Sequence, residues 1–529
     1  MKRYLRLPTE AKILLGSFGL YAILLWATPV LALAVSVAIL LGTILLALAR
    51  VACALAAKPT LPSSQVVQGW GDEFVSIHIA THSEPAEVVI ATLDSLTRLS
   101  HPHYEVIVLD NNTPDPALYE PVRRHCQKLG SKFRFYHYDG VEGAKAGALN
   151  ISLGLADKRT EMILVLDADY QVQPGILEAG LTHFVDSSVA FVQFPQAYRN
   201  SRPDCGLTWD YRLFFDVYMN LANQCNTVLS TGTAAFVRKH ALLALGGWSG
   251  ATLTEDAELG LGLHRLGYRG VYVPEVVAAG LMPTDFNSLR TQRRRWILGN
   301  AQSLVKLWAL PDIDLTRKLV MSMQLTAWAS PLLLSIVTFS NASLLAHVSV
   351  SPIAESIVVL STLSILWYLL GILCFFAVAV SRQGDSLLTA FRAAMVHLGT
   401  QWEASLAWCE LFVRSDKRFV RTDKFLRAPE MAAMGLTVGL SLLCCGIGFD
   451  LLRVGGSPWL AFACSLSSLV LAATGYLRWT IHNTRLYTAR LGVSKRRNLV
   501  PLGERLVPIR PTLSPVAELT GKLRDQGES

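Results

Sequence analysis

The sequence predicts an α/β unit with a mostly parallel sheet, carried between α-helical membrane segments, about six in all. Three observations lead there. The chain has 529 residues, 51% of them hydrophobic, and a mean hydropathy of +0.36, too apolar for an ordinary soluble protein. Between Glu73 and Lys318 no apolar run is long enough to cross a bilayer, and strand-like segments alternate with helical ones. Long apolar runs lie on both sides of that stretch.

From Ile13 to Ala49 there is no charged residue. A single helix of that length would reach about 55 Å, against a hydrocarbon core of about 30 Å, so two helices turning at Thr28-Pro29 fit better. A cleaved signal peptide, with a processing site near Ala54–Ala57, would need a far shorter apolar region. Residues 1–58 are therefore read as a transmembrane hairpin. Lys2, Arg3, Arg6 and Lys12 before it, and Arg50 and Lys58 after it, put both ends on the cytoplasmic side.

Residues 59–318 are the cytosolic α/β unit, with strands expected over 74–80, 104–109, 133–138, 162–166 and 189–194. Apolar spans resume over 319–346, 356–381, 431–449 and 454–477. These divide the remainder into a membrane pair (319–381), a cytosolic amphipathic region (382–429), a second pair (430–478) and a basic, partly disordered tail (479–529). Arg317, Lys318, Arg382, Arg414, Lys417 and Arg478 flank the inner ends, and the outer loops are nearly bare of charge. Residues 383–428, and also 211–221, read as amphipathic stretches on the inner leaflet. The reading is an integral protein of a bacterial inner or plasma membrane, with its α/β unit and both termini cytoplasmic.

A net charge of +8 follows this topology, and no basic stripe alternates with aromatics, so nucleic acid is excluded as a partner. Nine cysteines without a Cys-x-x-Cys pair indicate reduced packing residues. Glu355 is almost the only ionisable group inside the spans, and no transporter-type repeat occurs.

The chemistry gathers at strand ends. The run Met162–Leu166 stops at Asp167-Ala168-Asp169-Tyr170. Carboxyl ends of strands in open α/β sheets face ligands, and two carboxylates one residue apart can hold a hard divalent cation. Taken alone, Asp-x-Asp is more often an acidic turn. The first strand leads into Thr81-His82-Ser83-Glu84-Pro85, where Ser83 is placed to cap a helix. The second ends at Asp110-Asn111-Asn112.

Lys145 lies among small residues (Gly143–Asn150), either as a phosphate-contacting loop or as a plain helix start. Thr254-Glu255-Asp256 opens a helical pattern, where acids suit the dipole or supply a general base. Gln292-Arg293-Arg294-Arg295-Trp296 offers an aromatic face for a pyranose and cationic groups for a diphosphate, or a basic helix face near a membrane. No Gly-x-Gly-x-x-Gly and no Gly-Lys-Ser/Thr is present, which excludes dinucleotide and P-loop sites.

In that order, these motifs resemble the membrane-embedded family 2 glycosyltransferases of the cellulose, curdlan and hyaluronan synthase kind, and bacterial β-glucan synthases most of all. The resemblance covers residues 74–302 and implies a GT-A fold. It implies that Thr81, Glu84 and Asp110 contact the uridine of a UDP-sugar, and that Lys145 and Arg295 contact its diphosphate. Asp167 and Asp169 would hold nucleotide and Mg²⁺ or Mn²⁺. Asp256, beside Glu255, would be the catalytic base, and Gln292 and Trp296 would frame the acceptor.

Phe419-Val420-Arg421-Thr422-Asp423-Lys424 is similar to the gating loop of cellulose synthases, with Phe419, Thr422 and Lys424 matching and Arg421 departing. Ser230–Ala234 stands where cellulose synthases carry Phe-Phe-Cys-Gly-Ser. The implied activity is inverting transfer of glucose from UDP-glucose to a growing β-glucan secreted through its own channel. An accessory export subunit or a second copy is the expected partner besides donor, polysaccharide and bilayer. The alternative is transfer of one sugar to a membrane lipid, as ceramide glucosyltransferases do.

Overall fold

The computed structural model describes residues 9–58, 73–202, 204–348, 351–410, 431–453 and 458–490. Ten strands are present among them: β1 (Phe74–Thr81), β2 (Tyr104–Asn111), β3 (Phe133–Tyr138), β4 (Thr160–Asp167), β5 (Gln171–Val172), β6 (Val189–Gln193), β7 (Ala197–Tyr198), β8 (Ala235–Arg238), β9 (Arg269–Tyr272) and β10 (Ala278–Gly280). Seven form one sheet in the order β3-β2-β1-β4-β8-β6-β9, and β5-β10-β7 form a small second one. β8 runs antiparallel to β4 and β6, and the other pairs of the large sheet are parallel. The mostly parallel GT-A type architecture is therefore as the sequence indicates.

β1, β2 and β4 are buried on both faces, which is why they read as mostly apolar runs, unbroken over Met162–Leu166 in β4. Their register fixes the site. Thr81 pairs with Asp110 and Ala80 with Asp167, so three polar strand ends emerge together at one edge of the sheet. Val75, Ile77, Ile79, Leu164 and Leu166 pack on one face with the helix Ala86–Leu96. Ile163 and Val165 face the helix Ala144–Leu155 on the other.

The apolar N-terminus forms two helices, Thr9–Ala27 and Pro29–Ala56, broken at Thr28. The chain turns back there, since the Tyr21 hydroxyl lies 2.7 Å from Ser36 Oγ, contact that a straight helix could not make over fifteen residues. Among the described residues two helices, Pro29–Ala56 and Pro352–Arg382, are long and apolar enough to cross a membrane; Lys12–Ala27, Leu332–Ala346 and Met434–Asp450 are shorter apolar stretches. All nine cysteines are free.

Four expectations are corrected. The span expected over 319–346 is two helices, Leu315–Leu325 and Leu332–Val348. Pro331 lacks the N–H to continue the first, and Arg50 Nη2 donates to the carbonyl of Ala329 (2.8 Å) in the break. The stretch 211–221 does not lie on a membrane surface. Tyr211, Phe215, Val217, Tyr218 and Met219 are buried, and Phe214 and Tyr218 stack on Trp328 and Phe375 at 4.8 and 5.8 Å. Its apolar face covers protein rather than lipid.

The amphipathic region supplies two helices, Leu387–Gly399 and Gln401–Glu410. Much of the first is buried, while Leu387, Leu388 and Phe391 at its start stay exposed. The last helix, Pro458–Arg490, continues beyond residue 478, and Thr488 Oγ1 accepts from Asn200 Nδ2 (3.1 Å). That docks the helix on the α/β unit in place of a free tail. The gating-loop positions Phe419, Thr422 and Lys424 lie outside the described residues.

Candidate active site

The polar edge of the sheet opens into a cleft of about 140 Å³. Its lining includes Thr81, Glu84, Lys145, Asp167, Asp169, Glu255, Asp256, Gln292, Arg295 and Trp296. Ten of the predicted residues thus meet in one cavity, although they come from five separate segments.

Backbone strain marks the same edge. Ser83, Asn112, Ala144 and Ala234 have φ of 51°, 54°, 51° and 48°, a left-handed region that side chains avoid. Ser83 does not cap the helix Ala86–Leu96, whose N-terminal residue is Pro85. The turn instead points the Ser83 N–H at Thr113 Oγ1 (2.8 Å).

Asp167, the last residue of β4, and Lys145, in the first turn of Ala144–Leu155, are joined at 2.6 Å. Both alternatives for Lys145 hold together: it starts a helix and it lines the cleft. Lys145 Nζ also donates to the Gly232 carbonyl (2.7 Å) and lies 4.0 Å from Glu255. Burial favours loss of its proton, but Asp167 and Glu255 outweigh this and raise its pKa. Lys145 is a cation.

Asp169 is 3% exposed, and its Oδ2 accepts from the Leu281 N–H (2.7 Å). Arg199 Nη1 donates to its main-chain carbonyl and to that of Ala279. The Asp-x-Asp pair therefore faces the cleft from a firmly bonded turn.

Asp256 is the second residue of the helix Glu255–Arg265. Its Oδ1 accepts from the Ala257 N–H (2.8 Å). Burial and the neighbouring Glu255 raise its pKa to about 7, against the opposing pull of Lys145 and Arg295. A carboxyl poised there can take a proton near neutral pH. Gly232 permits the approach. Its φ is +82°, and a Cβ there would stand 2.6 Å from Asp256 Oδ2.

The helix Phe286–Ala309 distributes its basic run by side. Arg293 pairs with the buried Asp210, which also accepts from His397 Nδ1 (2.8 Å), and Arg294 pairs with Glu410. Arg295 faces the cleft. The Arg293 guanidinium lies 4.2 Å from the Tyr211 ring centroid and 4.7 Å from that of Trp328. Trp296 meets Tyr211 edge-on at 5.8 Å. Tyr211, Phe214, Trp296 and Trp328 enclose a second cavity of about 60 Å³, which shares Asp256 with the cleft.

Asp110 does not reach the cleft wall. It is 3% exposed and accepts from Thr81 Oγ1 (2.9 Å), Thr113 Oγ1 (2.8 Å) and His137 Nδ1 (2.8 Å). Three donors use its lone pairs, so it orients Thr81 from behind. Asn111, Gln196, Tyr198 and Thr231 line the cleft without having been anticipated. Asn111 carried a signal in its strand-end position, whereas Tyr198 lies in the two-residue β7, Gln196 just before it, and Thr231 in the loop before β8.

Residues 76–246 match the description Glycosyl transferase family 2, and residues 162–380 match Glycosyl transferase family group 2. The chain is 28% identical over 245 residues to the Arabidopsis thaliana "Probable glucomannan 4-beta-mannosyltransferase 15", covering 44% of this chain and 45% of that one. It is 30% identical to a "Cellulose synthase catalytic subunit [UDP-forming]" of Pseudomonas fluorescens, covering 43% and 31%. It is 32% identical to a "Beta-monoglucosyldiacylglycerol synthase" of a Nostoc species, covering 45% and 51%. The chain thus spans about half or less of the length of these relatives.

Proposed function

We propose that this chain, a glycosyltransferase with a family 2 catalytic domain, transfers a hexosyl unit from a UDP-sugar with inversion to a growing β-glucan-type chain. One observation carries the reading. Asp256, its pKa raised to about 7, lines the same cleft as the Asp167–Lys145 pair, with Gly232 next to both.

The donor set suits a hard cation only together with a ligand. Among the described residues no cluster of three His, Cys, Asp or Glu can hold a metal ion. A cation of this kind takes about six oxygens, so Asp167 and Asp169 would hold Mg²⁺ or Mn²⁺ with the diphosphate and water completing the shell. When bound, the ion stabilises charge on the departing diphosphate.

The chain's own groups do the rest. Thr81, Glu84 and Asn111 border the nucleoside end of the cleft. Lys145 and Arg295 are the cations available to the diphosphate. Trp296, backed by the buried Tyr211, supplies a stacking face for the acceptor sugar, and Gln292 an amide for its hydroxyls. The acceptor oxygen attacks the anomeric carbon, its proton passes to Asp256, and the bond to the diphosphate breaks on the opposite face. The 60 Å³ aromatic cavity shares Asp256, Trp296 and Thr254 with the cleft and offers the acceptor an apolar recess beside the base. The two long apolar helices and the shorter ones support a membrane setting; a cytoplasmic side for the α/β unit is the reading of the basic residues that flank the spans.

A donor screen across UDP- and GDP-sugars, with linkage and size analysis of the product, tests the reading. A long β-linked glucan made from UDP-glucose is expected. A single sugar on a lipid would replace the polymer reading with the lipid one, which the Nostoc relative keeps open.

A further inference from the structure

The three-stranded sheet β5-β10-β7 grips Asp169 from two directions. The side chain is held through Oδ2 by the Leu281 N–H, one residue beyond β10. The main-chain carbonyl is held by Arg199 Nη1, one residue beyond β7, and the same nitrogen donates to Ala279 O in β10 at 3.0 Å. The Arg199 N–H in turn donates to Gly280 O (3.0 Å), which closes the ring. Gly280 is required here, since a Cβ would come within 2.2 Å of the Tyr170 ring. Arg199 itself does not line the cleft. Nothing in the motif set includes it.

We infer that Arg199 is a positioning residue that sets the pose of the Asp169 carboxylate toward a divalent cation. The inference rests on the cation-binding role proposed above for Asp167 and Asp169. The physical reason is geometric. Asp169 follows the end of β4, where ladder bonds no longer fix the backbone. One guanidinium nitrogen bridging two carbonyls ties that free turn to β10, and so holds the peptide plane from which the carboxylate projects. A lysine would keep the charge, but its ammonium sits on a flexible stem and lacks the planar fork. Partners that orient metal ligands from behind change metal affinity about 10–100-fold when replaced.

The test is Mn²⁺ binding by the purified full chain in lipid nanodiscs with saturating UDP, read from the free-ion electron paramagnetic resonance signal. Arg199→Lys and Arg199→Gln are compared with wild type and with Asp169→Asn, and thermal midpoints are recorded alongside. The expected result is a roughly 10-fold or greater rise in the Mn²⁺ dissociation constant for both variants, with unchanged midpoints. A merely structural role would move the midpoint and leave the Mn²⁺ constant alone. Binding within about 2-fold of wild type in either folded variant overturns the inference while leaving Asp169 as ligand, provided Asp169→Asn has lost the ion. Unfolding of both variants also overturns it, because a residue that only positions Asp169 is replaceable without loss of the fold. Should wild type bind no Mn²⁺ with UDP, the cation site itself falls.

Discussion

Lys145 Nζ lies 2.6 Å from Asp167 Oδ1, so the ammonium sits against the carboxylate that the donor's cation would need. In the proposed reaction Asp167 would hold the cation and Lys145 would turn to the phosphates when the donor binds. Lys145→Ala removes a charge-assisted bond of about 1.5–3 kcal/mol, so UDP should bind roughly 10–100-fold more weakly by calorimetry. Unchanged affinity would mean that the lysine only neutralises Asp167.

The pH dependence follows from Asp256. Transfer needs its unprotonated form, so turnover should rise through about pH 7 and level off above it. Stability runs the other way. Its native pKa lies above the unfolded value, so the native state binds more protons between these values and stability falls as pH rises through them. Asp256→Asn should therefore raise the thermal midpoint at pH 8 more than at pH 5, by an equivalent of a few kcal/mol, roughly. Equal midpoint changes at the two pH values would contradict the raised pKa.

Gly232→Ala combines a strained φ of +82° with a Cβ at 2.6 Å from Asp256 Oδ2. Either Asp256 or the backbone at 232 must shift, and a backbone shift also moves the carbonyl that accepts from Lys145. Turnover should drop on the order of 100-fold, with a modest change in thermal midpoint. Wild-type turnover would show that Asp256 is not held in its working position.

Asp210 joins Arg293 of the motif helix to His397 of the helix Leu387–Gly399, and all three side chains are buried. Asp210→Ala leaves Arg293 buried without its counter-charge, and should cost roughly 3–5 kcal/mol in chemical unfolding. Asp210→Asn, which can still accept a bond, should cost less. Equal losses would point to volume rather than charge.

What the sequence made legible was local. Mostly apolar runs ending in polar residues located β1, β2 and β4 and the cleft edge, because burial on both faces leaves a pattern within each segment. Lys145, Glu255, Asp256 and Arg295 converge as expected. What failed depended on partners distant in the chain. Asp110 reads as a strand-end acid like Asp167, and only Thr113 and His137 turn it inward. Residues 211–221 have an interfacial composition, but Trp328 and Phe375 occupy the place of lipid. Arg199 carried no signal at all, since its role is to bond two carbonyls brought together by folding.

The account depends most on Asp256, and Asp256→Asn tests it directly. UDP affinity and UDP-glucose turnover are measured on one preparation of the variant and of wild type. The account predicts UDP affinity within about 2-fold of wild type and turnover reduced at least 100-fold, because only the proton acceptor has gone. Turnover at the wild-type rate would place the base elsewhere and contradict it.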